Sequence, residues 1–81
     1  MKLPKIVSVQ PIENYKLKLG YETGEVKIFN VLPYMSGQWY EELYDLDYFK
    51  SVHLVSDGQG IEWGNGQDIA PHELYDMSIS I

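Results

Sequence analysis

Residues 15–29 read YKLKLGYETGEVKIF, and this stretch decides the fold. Its apolar residues alternate with lysine or glycine, at Tyr15, Leu17, Leu19 and Tyr21. A period of two places such side chains on one face of a β-strand. The sequence Glu22-Thr23-Gly24-Glu25 then interrupts the pattern, which resumes at Val26. The stretch therefore predicts a β-hairpin that turns at Thr23-Gly24.

The length of the turn decides which residues of the hairpin face each other. A two-residue loop sets Tyr21 opposite Val26 and Leu19 opposite Ile28, so the apolar pairs share one face. On this register we expect residues 15–21 and 26–31 to pair antiparallel, with Leu17, Leu19 and Ile28 on the buried face. The same loop brings two glutamates together, and a three-residue loop with a bulge at Gly24 is the alternative that separates them.

Weaker patterns flank the hairpin. The β-branched run Ile6-Val7-Ser8-Val9 predicts a first strand that turns at Pro11. Beyond the hairpin, apolar residues recur at the helical spacing i, i+4 and i+7, at Trp39, Leu43 and Leu46. Asp45 or Asp47 suits the N-cap of a second short helical turn.

The second half of the chain predicts another hairpin and a last helix. Residues 52–56 and 61–63 are strand-like and are separated by the turn Asp57-Gly58-Gln59-Gly60. Asn65-Gly66 is a strong hairpin signal that leads into a brief strand at 67–69, and Pro71 suits the start of a helix that runs to about Met77. We predict one α+β domain over residues 1–81. It has two layers, with an antiparallel sheet of about five strands in β-β-β-α-β-β-α order and short helices packed on it.

Charge narrows the classes of partner. The 81-residue, 9.4 kDa chain carries 12 acidic residues and 6 lysines, has no arginine, and has a formal net charge of −6. This balance disfavours autonomous binding to nucleic acid or to an anionic membrane and favours a small basic protein as partner. The alternative is that acidity only keeps the domain soluble.

The chain has no cysteine and no apolar run near the roughly 18 residues of a membrane span, so we expect a cytoplasmic protein.

Catalytic and metal-binding patterns are weak in this sequence. His53 lies in a predicted strand with no serine or aspartate at a diagnostic spacing. His72 and Asp76 are spaced i, i+4 on the last helix, but two ligands are too few for a stable metal site. Asp57-Gly58-Gln59-Gly60 lacks the phosphate-loop pattern and is interpreted as a turn. We therefore expect no catalytic residues, no metal and no cofactor.

The densest acidic stretch is the candidate partner-binding site. It contributes four carboxylates, from Glu41, Glu42, Asp45 and Asp47. We expect them to be exposed and to steer a basic protein by long-range attraction, or else to form only a solvated acidic face.

Two further expectations concern the aromatic residues and the hairpin lysines. Trp39 and Trp63 are expected in the core, although a ligand-stacking platform is the alternative. Lys16, Lys18 and Lys27 are expected on one face of the first hairpin.

A small domain with many aromatic residues is also expected to leave an apolar patch or a sheet edge uncovered, and so to form a homodimer.

Three stretches resemble a family known as domain of unknown function 2442, a family of small bacterial domains. They are Pro4 to Pro11 followed by Tyr15, Gly24 to Val31, and Ile61 to Tyr75 with its core Trp63-Gly64-Asn65-Gly66-Gln67-Asp68-Ile69. The family tends to have proline at Gly64 and often has aspartate at Ala70, where this chain loses an N-cap oxygen. The resemblance implies a small α+β domain that serves as a binding or regulatory module near small toxin-like genes.

From charge and resemblance together we expect a non-enzymatic protein-interaction module, an antitoxin-like partner of a small basic protein. The alternative is a small-molecule-binding or enzymatic domain that uses the aromatic cluster.

Overall fold

The structure is a computed structural model, and it describes residues 3–81. Seven strands and two α-helices follow one another along these residues: β1 Ile6–Ile12, β2 Lys16–Tyr21, β3 Val26–Asn30, α1 Leu46–Phe49, β4 His53–Val55, β5 Gly60–Glu62, β6 Asp68–Ile69, α2 Pro71–Asp76 and β7 Ile79–Ser80. Three 3₁₀ helices join them, at Leu32–Tyr34, Gln38–Tyr44 and Ser56–Gly58. The α+β class predicted from the sequence is confirmed.

The strands form two antiparallel sheets, where the sequence predicts a single sheet of about five strands. The larger sheet has the order β1-β2-β3-β7 and the smaller one has the order β4-β5-β6. The difference arises because β4, β5 and β6 have only two or three residues each and pair among themselves. The remaining edge of β3 is instead taken by β7, which follows the last helix.

The first hairpin is where it was predicted, but its register differs by one residue on β3. Leu19 lies opposite Lys27 and Leu17 opposite Phe29, so Ile28 is on the outer face and Lys27 on the inner one. The loop is the three-residue alternative. The Tyr21 N–H donates to the Glu25 carbonyl at 2.9 Å, and Gly24 has a φ of +91°. Glycine takes that left-handed conformation without steric penalty, which makes this longer loop available.

The loop between β5 and β6 repeats this geometry with different residues. The Trp63 N–H donates to the Gln67 carbonyl at 2.9 Å, and the Gly66 N–H donates to the Trp63 carbonyl at 2.9 Å. Gly66 has a φ of +95° and stands where Gly24 stands in the first loop. A glycine three residues after the last paired aromatic residue therefore specifies both turns.

The first strand is longer than predicted and continues through Pro11 to Ile12. Lys16 and Lys18 direct their backbone groups toward β1, and they pair with Ile12 and Gln10. Pro11 lies between those two residues, so the N–H that proline lacks would have pointed away from the sheet. Because β1 is an edge strand, this position costs no hydrogen bond.

The core lies between the inner face of the larger sheet, the smaller sheet and the helices. Its fully buried members, all less than 2% exposed, include Leu17, Leu19, Phe29, Leu43, Phe49, Trp63 and Leu74. The Trp63 indole N–H donates to the Phe49 carbonyl at 2.9 Å, so the largest buried side chain is also satisfied in its polar group.

The segment predicted as an amphipathic helix is a 3₁₀ helix, and only Leu43 of its three apolar positions is buried. Trp39 is 54% exposed and Leu46 is 53% exposed. A 3₁₀ helix turns about 120° per residue, so positions i and i+4 no longer share a face. The chain then becomes extended at Asp45, and a new helix begins at Leu46.

The caps of the α-helices agree with the sequence. The Asp45 Oδ1 accepts a hydrogen bond from the Asp47 N–H at 3.0 Å and caps α1. Helix α2 has Pro71 at its first position, and its cap residue Ala70 makes no side-chain bond. Met77, expected as its last residue, follows the end of the helix and is 67% exposed.

A candidate protein-docking surface

The exposed part of segment 39–47 combines large apolar side chains with carboxylates. We call it the acidic surface, and it consists of Trp39, Glu41, Tyr44, Asp45, Leu46 and Asp47. All six side chains are exposed, and the three apolar ones are 50–54% exposed. Isolated exposed apolar residues are ordinary, but three of them within eight residues, with carboxylates between them, resemble the composition of a protein-binding patch.

No ion pair among the described residues neutralises the carboxylates of this surface. No basic residue occurs between Lys27 and Lys50 in the sequence. The ion pairs found among residues 3–81 are Lys5–Asp57 and His53–Glu62, and neither involves a carboxylate of the acidic surface. The surface therefore carries a net negative field that a cationic partner can complement.

Glu42 belongs to the same stretch but has a different environment. Its Oε2 accepts from the Asn65 Nδ2 at 2.7 Å, and its Oε1 accepts from the Gln67 Nε2 at 2.9 Å. Asp45 also has a structural bond, because it caps α1. Glu41 and Asp47 remain as the carboxylates of the predicted four that make no side-chain hydrogen bond among the described residues.

Gln67, which the sequence did not single out, anchors the acidic surface to the rest of the molecule. It is fully buried, its Nε2 also donates to the Trp39 carbonyl at 2.8 Å, and its Oε1 accepts from the Tyr48 hydroxyl at 2.6 Å. The Tyr48 hydroxyl in turn accepts from the Asn65 N–H at 2.8 Å. In this network every polar group has a partner. It joins the 3₁₀ helix Gln38–Tyr44, α1 and the loop between β5 and β6, so the surface is held rigidly.

An apolar cleft opens beside Leu46. It has a volume of about 360 Å³. Its lining residues come from the end of β1, from the turn after it, and from α1 with its C-cap residue: Pro11, Ile12, Glu13, Asn14, Leu46, Phe49 and Lys50. The cleft is large enough to receive a side chain of a bound protein next to the carboxylates.

The predicted lysine face of the first hairpin is wrong for one of its three members. Lys16 and Lys18 lie on the outer face of the sheet, whereas Lys27 is on the inner face and only 8% exposed. Its Nζ donates to the Tyr75 carbonyl at 2.8 Å and lies 3.9 Å from the centre of the Tyr75 ring. The ring and the carbonyl stabilise an ammonium group at a buried position.

Glu25 also contacts Tyr75, the residue that binds Lys27. The Tyr75 hydroxyl donates to both Glu25 carboxylate oxygens, at 2.9 and 2.8 Å. Hydrogen bonds from Tyr75 and then Thr23 lower the pKa of Glu25 below its usual 4.5, and the bond to Glu25 raises the pKa of Tyr75. Burial raises the pKa of the neighbouring Tyr21 to about 12. All three shifts move away from neutral pH, so these groups keep their usual protonation states there. The Tyr75–Glu25 hydrogen bonds join α2 to the residue before β3, whereas the buried Tyr21 hydroxyl has no hydrogen-bond partner among the described residues.

We expect Tyr75→Phe to make the stability of the protein less sensitive to acid. A carboxylate whose folded pKa lies below its unfolded value stabilises the fold above the unfolded pKa, and this contribution is lost as pH falls through the folded pKa. Removing the hydroxyl brings the Glu25 pKa back toward 4.5. The free energy of unfolding, measured in urea at neutral pH and at several values below 4.5, should fall less steeply in the variant.

The matched control is Tyr15→Phe, because the Tyr15 hydroxyl donates to a backbone carbonyl, that of Tyr44, at 2.8 Å. This change should lower stability by a similar amount at every pH. Identical acid profiles for wild type and Tyr75→Phe would show that Glu25 gains nothing from the contact.

The other residues considered for chemistry lie apart from each other. His53 begins β4, and its Nε2 is 3.2 Å from the Glu62 Oε1 in an exposed pair. His72 and Asp76 are exposed on α2. Residues 3–81 contain no group of three or more side chains suited to hold a metal ion. The turn at 57–58 has positive φ at both Asp57 and Gly58.

The tryptophans differ in their environments. Trp63 is in the core beside Phe49, as predicted, with ring centres 5.9 Å apart. Trp39 is exposed, contrary to the prediction. Its ring approaches Gly66, where an added Cβ would lie 3.7 Å from its Cζ2.

Comparisons with known proteins give a single finding. A family model described as protein of unknown function (DUF2442) matches residues 6–80, which confirms the resemblance noted from the sequence. Neither the curated proteins nor the solved structures contain a match to the chain. Within residues 3–81, no helix is both long and apolar enough to cross a membrane.

Proposed function

The chain belongs to the family of proteins of unknown function DUF2442, and on this premise we propose that it is a non-enzymatic interaction module that binds a small basic protein. The proposal places it in the bacterial cytoplasm, as an antitoxin-like partner that covers a cationic protein. The binding site is the acidic surface. The observation that carries the proposal is that exposed large apolar side chains alternate with carboxylates that form no ion pair among the described residues, on a segment anchored by Gln67.

The apolar members of the acidic surface supply the contact energy. Trp39 and Tyr44 are 54% and 50% exposed, and tryptophan and tyrosine are the residue types most enriched among those that dominate binding. The segment is already held in place by Gln67 and Asp45, so little ordering entropy is lost on binding. A partner that presents apolar side chains flanked by lysine or arginine complements this arrangement.

The carboxylates supply attraction at a distance. The chain has a net charge of −6, and the acidic surface is its densest acidic part. Attraction between charges decays over a Debye length of about 10 Å at 0.1 M salt, so association with a basic partner should slow as salt rises. Charges at the rim of an interface affect the association rate more than the dissociation rate.

The first experiment identifies the partner and measures how fast it binds. The immobilised chain should retain a stoichiometric basic protein from the native cytoplasm, and the association rate of the purified pair should fall with added salt. The double variant Glu41→Lys with Asp47→Lys should lower that rate by a further factor of about ten or more. These two positions are chosen because their side chains bond to no other described residue. A lysine at position 47 replaces a favourable carboxylate in the first turn of α1, so folding stability should fall by at most about 1 kcal/mol.

The matched control reverses charge away from the acidic surface. Asp76→Lys changes an exposed carboxylate at the end of α2, where a cation is favourable, and should leave most of the association rate intact. Binding that does not depend on salt, or equal losses in the two variants, would reduce the acidic surface to a solubility feature. Retention of a metabolite without any protein would favour the alternative of small-molecule binding. That alternative has less support because Trp63 and Phe49, the centre of the aromatic cluster, are at most 1% exposed.

A further inference from the structure

Strand β7 forms one edge of the larger sheet and leaves its outer side without a strand among the described residues. Its Ile79 pairs with Ile28 of β3, and the Ile81 N–H donates to the Val26 carbonyl at 3.0 Å. Backbone groups of successive strand residues point to opposite sides. Ile79 and Ile81 therefore direct theirs toward β3, while Ser80 directs its N–H and carbonyl away from the sheet.

The side chains next to this free edge are apolar and exposed. Ile79 is 72% exposed and Ile81 is 74% exposed, and both lie on the outer face of the sheet, in register with Ile28 and Val26. The core and the helices lie against the inner face. The stretch 77–81 contains no charged residue and no proline, which are two of the features that keep an edge strand from pairing with another chain; the protection that β7 does have is its length of two residues.

We propose that β7 pairs with β7 of a second copy of this chain and joins the two larger sheets into one continuous antiparallel sheet. The two-fold axis passes between Ser80 and the second copy's Ser80, which exchange their N–H···O=C bonds. Ile79 of each copy then lies opposite Ile81 of the other on the outer face. The proposal is independent of the proposed function, because the acidic surface takes no part in it.

The register itself argues for a second copy as the occupant. An antiparallel pair centred on Ser80 is self-complementary, since Ile79 of each copy meets Ile81, the residue just after β7, of the other. Lys16 and Lys18, on the outer face of β2, lie two strands from β7, which is roughly 10 Å at the usual strand spacing. In the dimer the lysines of the two copies are far enough apart for salt to screen their repulsion.

The test uses the mass of the protein in solution and a pair of complementary variants. Wild type should sediment at micromolar concentration with twice the 9.4 kDa mass of one chain. Ile79→Lys and Ile81→Glu should each sediment as monomers. An equal mixture of the two should regain the dimer, because the introduced lysine of one copy then faces the introduced glutamate of the other.

The matched control places a charge at the opposite edge of the same sheet. Val7 is a 60% exposed residue of β1, and the variant Val7→Lys should remain dimeric. Loss of the dimer in this variant as well would mean that any added surface charge disrupts association, which would overturn the assignment to β7.

A second measurement reports the register without relying on a charged substitution. The chain has no cysteine, so Ser80→Cys introduces one thiol per copy. Directly opposed strand residues have Cα atoms about 5.5 Å apart, within reach of a disulfide. Under mild oxidation Ser80→Cys should form a covalent dimer much faster than Ser36→Cys, an exposed position between two 3₁₀ helices. A monomeric wild type, a dimer that persists in Ile79→Lys, or equal cross-linking of the two cysteine variants would overturn the proposal.

Discussion

Replacing Gly58 by alanine is expected to destabilise the protein by about 2–5 kcal/mol, a large part of the roughly 5–15 kcal/mol that stabilises a typical domain. Two effects add. Gly58 has a φ of +88°, a left-handed conformation that costs a residue with a Cβ about 1–2 kcal/mol. The new Cβ would also clash with the Ile6 carbonyl oxygen, so β1 or the turn must move.

Gly24→Ala is the control that separates these two effects. Gly24 has almost the same φ, +91°, but an added Cβ there meets no atom within 4 Å. We expect it to lose only the backbone term, about 1–2 kcal/mol. Urea unfolding of both variants gives the comparison. Equal losses would mean that the turn at Gly58 can move away from β1, and that the two sheets are not held closely at this point.

The second large effect is expected for Gln67→Leu, which should lower the free energy of unfolding by about 2–4 kcal/mol. Leucine fills a similar volume but removes the amide donor to the Trp39 carbonyl and to Glu42, and the acceptor for the Tyr48 hydroxyl. A buried polar group that loses its partner is more costly than the bond itself is stabilising.

The control for Gln67→Leu is the same substitution at the next residue. Asp68 is exposed, and its side chain makes no bond among the described residues, so Asp68→Leu should change stability by less than about 0.5 kcal/mol. A loss at Gln67 no larger than at Asp68 would show that water replaces the amide in the network.

Gln67→Leu also tests whether the Gln67 network only stabilises the fold or in addition holds the acidic surface in the conformation that binds. The variant should weaken binding of the basic partner together with stability, because the backbone at Trp39 loses its anchor. The Glu41→Lys and Asp47→Lys variant should weaken binding while most of the stability is kept. If Gln67→Leu binds the partner normally at a temperature where it is folded, the network supports the fold but does not preorganise the surface.

Local features of the sequence were sufficient for several elements. The alternation from Tyr15 to Tyr21 correctly placed Leu17 and Leu19 on the buried face, because a strand allows only two orientations for its side chains. Gly24 and the Asn65-Gly66 pair marked the turns of the β2–β3 and β5–β6 hairpins, because few residues other than glycine adopt positive φ. The Asp45 cap and Pro71 at the start of α2 were likewise local, since each acts on the backbone within one helical turn.

Other features depended on residues far away in the chain. Lys27 is buried because Tyr75, 48 residues later, supplies a ring and a carbonyl for its ammonium group. That contact accompanies the one-residue difference in register that placed Phe29 rather than Ile28 in the core. The role of Gln67 depends on Trp39 and Tyr48, and no periodicity in the sequence distinguishes such a glutamine from an exposed one.

The sequence by itself determined the family, the α+β class, the positions of the β2–β3, β4–β5 and β5–β6 hairpins, the start of each α-helix and the acidic character of residues 41–47. Each of these depends on composition or on contacts within a few residues. Only the tertiary structure decided that the strands divide into two sheets, that Trp39 is exposed while Trp63 is buried, and that β7 has a free edge among the described residues. These outcomes depend on contacts between residues that are distant in the sequence but close in space. A local sequence pattern does not record such contacts, so it does not decide which side chains become buried.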